Sequence, residues 1–510
     1  MKIGIGQVGT LVGDLPGNVA RLAEAARRAA ALQADVVVFP EMAVTGYPPR
    51  DILCDDDFVA ASLRATEDLA ARVADLPPVL VGTIARAERR PPRHPGLHDA
   101  VALLRGGKVE RRIAKRLLPP YDVFHEHRWF LPGGPQAPVE IAGRRLGVLV
   151  CEDFWDAGYD VHPSAELVEQ GAEAIVCVSA SPFRQGVLEE RLAHARHVGV
   201  PVVYVNAVGG QDELVFDGRS FATDASGRLQ ARLSSFADEV AVVELGAAAE
   251  AAPAAEHDLD VLRLALVLGV RDFARKNRLG HAFLGLSGGI DSALVARLAA
   301  EALGPSQLTG VAIPSRYTDP RSTESARQLA ASLGIGFEVH ALEPLHAAAE
   351  SSLGALLDKG PAGRLADENV QARLRMLVLM AFVNRRGGFL LNTSNKTELS
   401  LGYSTLYGDM AGALAPLGDV TKPEVYALAR HLGSFPAFVL ERAPSAELRP
   451  HQVDPFDYAS LAPYMEELVR GFRSDAALRR SEHKRWQMGV VLRVSRTAFG
   501  SGRMIPITRR

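Results

Sequence analysis

The sequence predicts an α/β protein built as two layered modules, and three features predict it. Short apolar runs alternate with segments whose apolar residues recur at helical spacing. A glycine-rich turn, Ser287-Gly288-Gly289-Ile290-Asp291-Ser292, lies between an extended run and a helical one. An Ala-rich stretch from Gly246 to Ala255 changes the composition near mid-chain. With 510 residues the chain is too long for a single growing core. The modules are read as 1–246 and 258–510, with a linker over 247–257.

The first module opens on an extended run, Ile3-Gly4-Ile5-Gly6-Gln7-Val8. A helix is predicted over Asn18–Leu32, then a strand at Val36-Val37-Val38-Phe39. Further strands are predicted at Val79–Ala85, Leu146–Cys151, Ala174–Val178 and Val202–Asn206. Leu63–Val73, Ser164–Gln170 and Glu189–His197 read as helices between them. The second module begins with a helical pattern over Asp258–Lys276 and a strand at Ala282-Phe283-Leu284. The turn follows, then a helix from Ala293, a strand at Thr309–Ile313, a helix at Ser322–Leu333 and a strand at Phe337–His340.

Bulk properties exclude several classes. Hydrophobic residues make up 47% and charged residues 23%, an ordinary globular composition. A formal charge of −3 gives no bulk attraction to nucleic acid. No apolar run is long enough to span a bilayer, so no membrane partner is expected. Cys54, Cys151 and Cys177 are too few and too scattered for a disulfide scaffold, which fits a reducing compartment. No cleavable signal is read ahead of the first strand, and the expected location is cytoplasmic.

The turn at Ser287 offers backbone N–H groups at a helix N-terminus, the usual setting for phosphate. It lacks the Gly-x-x-x-x-Gly-Lys pattern of nucleotide triphosphatases. Its aspartate and paired serines instead resemble the loop of ATP pyrophosphatases, which cleave ATP between the α and β phosphates. A helix cap and tight turn would explain the glycines and one serine, but not the acidic residue.

The first module carries a separate constellation. Glu41 follows the strand Val36–Phe39, Lys115 lies in Ile113-Ala114-Lys115-Arg116-Leu117-Leu118-Pro119, and Cys151 ends Gly147-Val148-Leu149-Val150. If folding gathers them, the three can hydrolyse an amide. Cys151 would attack the carbonyl carbon, Glu41 would move the proton, and Lys115 would stabilise the tetrahedral oxyanion. Taken singly, they would read as a buried thiol, a cap and a surface lysine.

These strings resemble nitrilase-like glutaminases, whose α-β-β-α sandwich the first module is then expected to share. The resemblance implies Tyr121, Glu126, Ser181, Arg191 and Tyr204 as glutamine contacts. His125 and His127 flank Glu126 where the family more often has Asp and Lys. The second module resembles NAD synthetases, with a Rossmann-like parallel-sheet ATP-pyrophosphatase fold. The motifs are Asp367–Met376, Asn392–Glu398, Tyr407-Gly408-Asp409, Gly418–Lys422, Pro444–Leu448, His483-Lys484-Arg485 and Phe499-Gly500.

That resemblance implies an ATP site at Ser287, Gly288, Gly289, Asp291, Ser292, Arg316, Thr393 and Lys422. It implies Mg²⁺ on Asp291 and Glu398, and deamido-NAD near Asn369, Arg373, Lys396, Asp409 and Lys484. The whole chain then resembles glutamine-dependent NAD synthetases. ATP, glutamine and deamido-NAD are the implied substrates, ammonia passes protected between two centres, and the chain forms a homo-oligomer of two, four or eight copies. Two alternatives stand beside this reading: another glutamine-fed, ATP-dependent amidotransferase, and a noncatalytic nucleotide-binding assembly protein.

Overall fold

The computed structural model describes residues 1–246, 255–357, 360–470, 483–484 and 489–499. Two compact units are present: Met1–Gln211 with Val215–His257, and Asp212–Leu214 with Asp258–Arg510.

The first unit runs β1 (Lys2–Gln7), α1 (Leu15–Ala31), β2 (Val36–Val38), α2 (Asp56–Arg72), β3 (Val79–Arg86), β4 (Leu97–Arg105) and β5 (Lys108–Ala114). It continues with β6 (Val139–Ile141), β7 (Arg144–Val150), α3 (Pro163–Glu169), β8 (Ala174–Ser179), α4 (Val187–His197) and β9 (Val202–Asn206). A hairpin of β10 (Val208–Gln211) and β11 (Leu214–Asp217) precedes β12 (Phe221–Thr223), β13 (Leu229–Arg232) and β14 (Glu239–Glu244).

Two six-stranded mixed sheets result, ordered β14-β1-β2-β3-β4-β5 and β13-β12-β9-β8-β7-β6. Strand alternation sends successive side chains to opposite faces. Val36 and Val38 join Val148, Val150, Val176 and Val178 between the sheets. Val37 faces the other way, into a cluster with Leu22 and Ala26 of α1 and Leu69 of α2. On the second sheet Leu149, Ile175 and Cys177 pack against Leu167 of α3 and Leu188 of α4. This is an α-β-β-α sandwich. The helix α1 begins where the Asp14 side chain accepts from Gly17 N, and it buries Val19, Leu22, Ala26 and Ala29 at helical spacing.

The second unit starts with α5 (Asp258–Lys276), β15 (Ala282–Gly285), α6 (Ile290–Leu303), β16 (Leu308–Ala312), α7 (Pro320–Leu333) and β17 (Gly336–Val339). Then come α8 (Glu343–Leu353), α9 (Pro361–Arg386), β18 (Phe389–Leu390), α10 (Lys396–Leu401), β19 (Leu414–Ala415), α11 (Lys422–Leu432) and β20 (Val490–Val491). Its parallel sheet has the order β17-β16-β15-β18. Strand order reverses beside β15, so a crevice opens past its carboxyl end, where open α/β sheets bind ligands. Phe283, Val311 and Leu390 of the sheet pack against Val378 and Leu379 of α9.

Candidate functional sites

Each member of the first constellation stands just past a strand end. Glu41 follows β2, Lys115 follows β5 and Cys151 follows β7. Gly82 of β3 allows the Glu41 loop to lie close. A Cβ there would sit 2.4 Å from Glu41 Cα, and Gly82 N donates to Pro40 O at 3.1 Å. Asp153 ties the other two loops together. Its Oδ1 accepts from Arg116 N (2.9 Å) and Leu117 N (2.8 Å), and its Oδ2 from Val150 N (3.3 Å). Cys151 has φ +43°, a left-handed conformation at the head of the turn after β7.

The side chains are gathered in the interior of the unit. Lys115 Nζ donates to Glu41 Oε1 at 2.8 Å and to Glu126 Oε1 at 2.9 Å. Asp99 Oδ2 lies 3.6 Å from the same ammonium. Glu41 Oε2 accepts from Ala180 N at 2.8 Å, while the neighbouring Ser179 Oγ donates to Cys151 Sγ at 3.3 Å. The pair Ser179-Ala180 therefore touches both the base and the sulfur.

Electrostatics separate the protonation states. Burial pushes the Cys151 thiol well above its usual range, and the Glu41 charge adds to that. For Glu41, burial raises the carboxyl, but the Lys115 charge and the hydrogen bonds it accepts outweigh burial and leave it below its usual value. Burial also lifts Glu126 to about 7 against the pull of Lys115, and lifts Asp99 well above the carboxylate range beside Glu41. Lys115 is opposed by burial yet held protonated by Glu126 and Glu41. A neutral thiol beside an ionised carboxylate is the starting point for general-base activation.

The other glutamine contacts implied by the sequence divide. Tyr121 is half exposed and donates to both oxygens of Glu152 at 3.0 Å. Ser181 stands at the wall, 8% exposed. Arg191 and Tyr204 are fully buried. Arg191 Nη1 donates to both Asp217 oxygens (2.9 and 3.0 Å), and its Nη2 donates to Ser181 O and Oγ. The hydroxyl of Tyr204 lies 2.7 Å from Ser179 Oγ. Both support the wall from behind. His125 and His127 are exposed while Glu126 between them is buried, so the departure from the family pattern stays outside the pocket.

In the second unit the turn after β15 forms a tight glycine-rich cradle at the start of α6. Gly288 has φ +81°, and a Cβ on it would lie 2.2 Å from Ser322 O, so only glycine fits. Ser292 Oγ donates to Gly289 O (3.1 Å) and accepts from Ser287 N (3.3 Å), fixing the turn at the start of α6. The cradle opens into a cavity of about 300 Å³ lined by Ser287, Gly289, Asp291, Ser292, Thr393 and Lys422, among others. Lys422 Nζ donates to Asp291 Oδ2 at 2.5 Å and to Glu398 Oε1 at 3.1 Å. Asn395 Nδ2 holds the other Asp291 oxygen at 2.9 Å. Burial lifts Glu398 to about 7, opposed by Lys422.

Arg316 is not among the residues that line this cavity. Its guanidinium is held by Glu343 and Glu350, one face of α8. Lys396 is likewise withdrawn: it is 3% exposed, and its Nζ donates to Ser495 Oγ (2.6 Å) and Thr497 O (2.7 Å) beside Asp419. The remaining deamido-NAD candidates converge on the turn Gly402–Asp409. Asn369 Oδ1 accepts from Thr405 Oγ1 (2.7 Å), Arg373 Nε donates to Leu406 O (3.1 Å) and Asp409 Oδ1 accepts from Thr405 N (2.6 Å). Lys484 Nζ donates to Gly402 O (2.9 Å) and Ser404 O (2.7 Å). Arg485 and Gly500 lie outside the described residues.

Several residues at the sites carry no role in the sequence reading. Asp99 is the charged residue inside the apolar run of β4, and a buried acid in such a strand is the signal that marks it. Arg375 and Arg442 line the cavity. Arg375 sits in a quoted motif of α9, four residues before Leu379, which lines the same cavity. Burial lowers its guanidinium to about 10 against the charge of Glu447.

A nitrilase-type sandwich with a Cys-Glu-Lys pocket, joined to a parallel-sheet unit with a pyrophosphatase-type phosphate turn, defines a two-centre amidotransferase. The chain matches the carbon-nitrogen hydrolase family over residues 2–253 and the NAD synthase family over residues 263–498. It is 36% identical to a glutamine-dependent NAD(+) synthetase of Synechocystis sp. across 99% of this chain and 98% of that one. It is 37% identical to another from Xanthomonas campestris across 100% and 97%. A solved structure of glutamine-dependent NAD+ synthetase from Acinetobacter baumannii, in complex with adenosine diphosphate, aligns with TM-score 0.80 and 29% identity. That alignment covers 99% of this chain and 98% of that one. The chain belongs to the glutamine-dependent NAD(+) synthetase family.

Proposed function

We propose that this chain makes NAD from deamido-NAD with ATP, using nitrogen released from glutamine, and yields AMP, pyrophosphate and glutamate. The observation that carries the reading is the presence, in one chain of this family, of both a gathered Cys151–Glu41–Lys115 pocket and the Ser287–Ser292 phosphate turn.

In the first unit Glu41 takes the Cys151 proton. The sulfur then attacks the glutamine side-chain carbon, and Lys115 stabilises the oxyanion. Glu41 returns the proton to the departing nitrogen, and ammonia leaves a glutamyl thioester. Water, deprotonated by Glu41, releases glutamate and restores the thiol. Tyr121, Glu126 and Ser181 frame the side that receives glutamine.

In the second unit the N–H groups at the head of α6 bind the ATP phosphates, beside Ser287, Ser292 and Thr393. The nicotinate carboxylate of deamido-NAD attacks the α-phosphorus and pyrophosphate leaves. Ammonia attacks the acyl carbon of the adenylate, which gives NAD and AMP. Asn369, Arg373, Asp409 and Lys484 position the dinucleotide through the turn Gly402–Asp409. Asp291 and Glu398 would hold Mg²⁺ as hard oxygen donors that converge on one point, and the ion would take the place of the Lys422 ammonium that bridges them here. Magnesium bound there would neutralise phosphate charge.

Among the described residues no helix is long and apolar enough to cross a membrane, and the reading includes a cytoplasmic location, where a free catalytic thiol stays reduced. The reading includes a homo-oligomer, measurable by light scattering. A substrate panel with ATP, Mg²⁺ and glutamine tests the function. Deamido-NAD should give NAD, AMP and glutamate. Turnover of an unrelated carboxylate, with none of deamido-NAD, would select a different amidotransferase.

A further inference from the structure

We propose that Ser179 is a further residue of the hydrolytic site: its hydroxyl, oriented by Tyr204, donates to the Cys151 sulfur and stabilises the attacking thiolate. The proposal rests on Cys151 being the nucleophile.

Hydrogen accounting fixes the direction of the chain. Ser179 has one hydroxyl hydrogen, and its Oγ lies 3.3 Å from Cys151 Sγ and 2.7 Å from Tyr204 OH. A thiolate offers no proton, so Ser179 must donate to sulfur. Tyr204 must then donate to Ser179. The relay runs from Tyr204 O–H to Ser179 Oγ and from Ser179 O–H to Cys151 Sγ.

The relay is built rather than incidental. Ser179 and Tyr204 are fully buried. The Tyr204 ring stacks on Phe221 at 5.1 Å with a 5° interplanar angle, and it leans on Phe154 at 5.4 Å. The Arg191 guanidinium lies 5.6 Å from its centroid. Ser179 ends β8, where Ala207 N donates to its carbonyl at 3.0 Å, so its side chain has a fixed origin. The next residue, Ala180, donates to Glu41. One dipeptide thus sets the base and the sulfur in the same register.

A buried thiolate needs donors, because burial and the Glu41 charge both oppose ionisation. Lys115 supplies charge and Ser179 supplies the hydrogen bond. Other ionisable groups act around the sulfur. Tyr47, Tyr121 and Cys177 share its field, Arg191 lies behind Tyr204, and Glu126 and Asp99 bear on the thiol through Lys115.

The test follows iodoacetamide alkylation of Cys151 against pH by mass spectrometry, together with glutamine hydrolysis, on the full chain. Ser179→Ala should move the alkylation profile to higher pH. It should also lower kcat for glutamine roughly tenfold, the scale of one hydrogen bond to a charged acceptor, with little change in KM. Ser179→Thr keeps the hydroxyl and should restore both. Tyr204→Phe should give a smaller shift of the same sign, and none in the Ser179→Ala background. Superimposable profiles for Ser179→Ala and wild type, with the wild type hydrolysing glutamine, would overturn the Ser179 role alone. A wild type that hydrolyses no glutamine would end the nucleophile reading and this proposal with it.

Discussion

Lys115 Nζ lies 2.8 Å from Glu41 Oε1, and neither side chain is more than 1% exposed. A buried ion pair of this kind is costly to desolvate and costlier to break on one side. Its value here is in protonation: the ammonium keeps the Glu41 carboxylate ionised next to a thiol that burial keeps neutral. Glu126 and Asp99 crowd the same ammonium, so their titration is coupled to this site.

Glu126 gives the clearest pH prediction. Its carboxyl titrates at about 7 in the folded chain, above the ordinary value of 4.5. Between those values the folded chain holds a proton that the unfolded chain has lost, so this group's contribution to stability falls as pH rises. Melting temperatures of wild type and Glu126→Gln should therefore shift in the variant's favour from pH 5 to pH 8. A difference that is flat across this range would contradict the buried, raised carboxyl.

Gly288→Ala should damage the phosphate turn. A methyl at φ +81°, placed 2.2 Å from Ser322 O, forces the backbone to move. The strain should cost roughly 1–3 kcal/mol. Calorimetry should show the loss in the second unit, and KM for ATP should rise.

Asp291→Asn removes one of the two carboxylates around Lys422. Synthesis should fall roughly 100-fold or more with either glutamine or ammonia, the scale of losing one group aimed at developing charge. Glutamine hydrolysis measured alone should persist. Unchanged Mg²⁺-dependent synthesis would remove Asp291 from the site.

Arg191→Met leaves Asp217 buried without its guanidinium partner. The first unit should lose roughly 3–5 kcal/mol of stability, as when one side of a buried pair is removed. Denaturant titration would measure it. A fall in glutamine affinity at full stability would instead restore Arg191 to direct contact.

Strand ends and turns carried the legible part of both sites. Glu41 and Cys151 each follow an apolar run that could only be a buried strand. The Ser287–Ser292 turn sits between a strand and a helix, and its glycines have a steric reason. Side-chain direction was not legible. Arg316 reads as a phosphate contact, but Glu343 and Glu350 recur on one face of α8 and capture it. Lys396 reads as a ligand group until residues 495–497, a hundred positions away, close over it. Tyr204 and Arg191 belong to the right neighbourhood, yet packing puts them one layer behind the wall. The strands β4 and β5 escaped the pattern because Leu97–Arg105 is rich in Ala and Leu, which favour helix as much as strand. Pairing with β3 decides β4, and pairing with β4 decides β5.

The division of labour between the two units is the central claim, and isotope tracing tests it most directly. Full-length chain is supplied with ATP, Mg²⁺, deamido-NAD and glutamine labelled with ¹⁵N in the side-chain amide. The label should appear in the carboxamide of NAD, with AMP and glutamate formed in equal amounts. Cys151→Ala should abolish that transfer and still make NAD from added ammonia. Labelled NAD from Cys151→Ala, or no NAD from the wild type with either nitrogen source, would contradict the account.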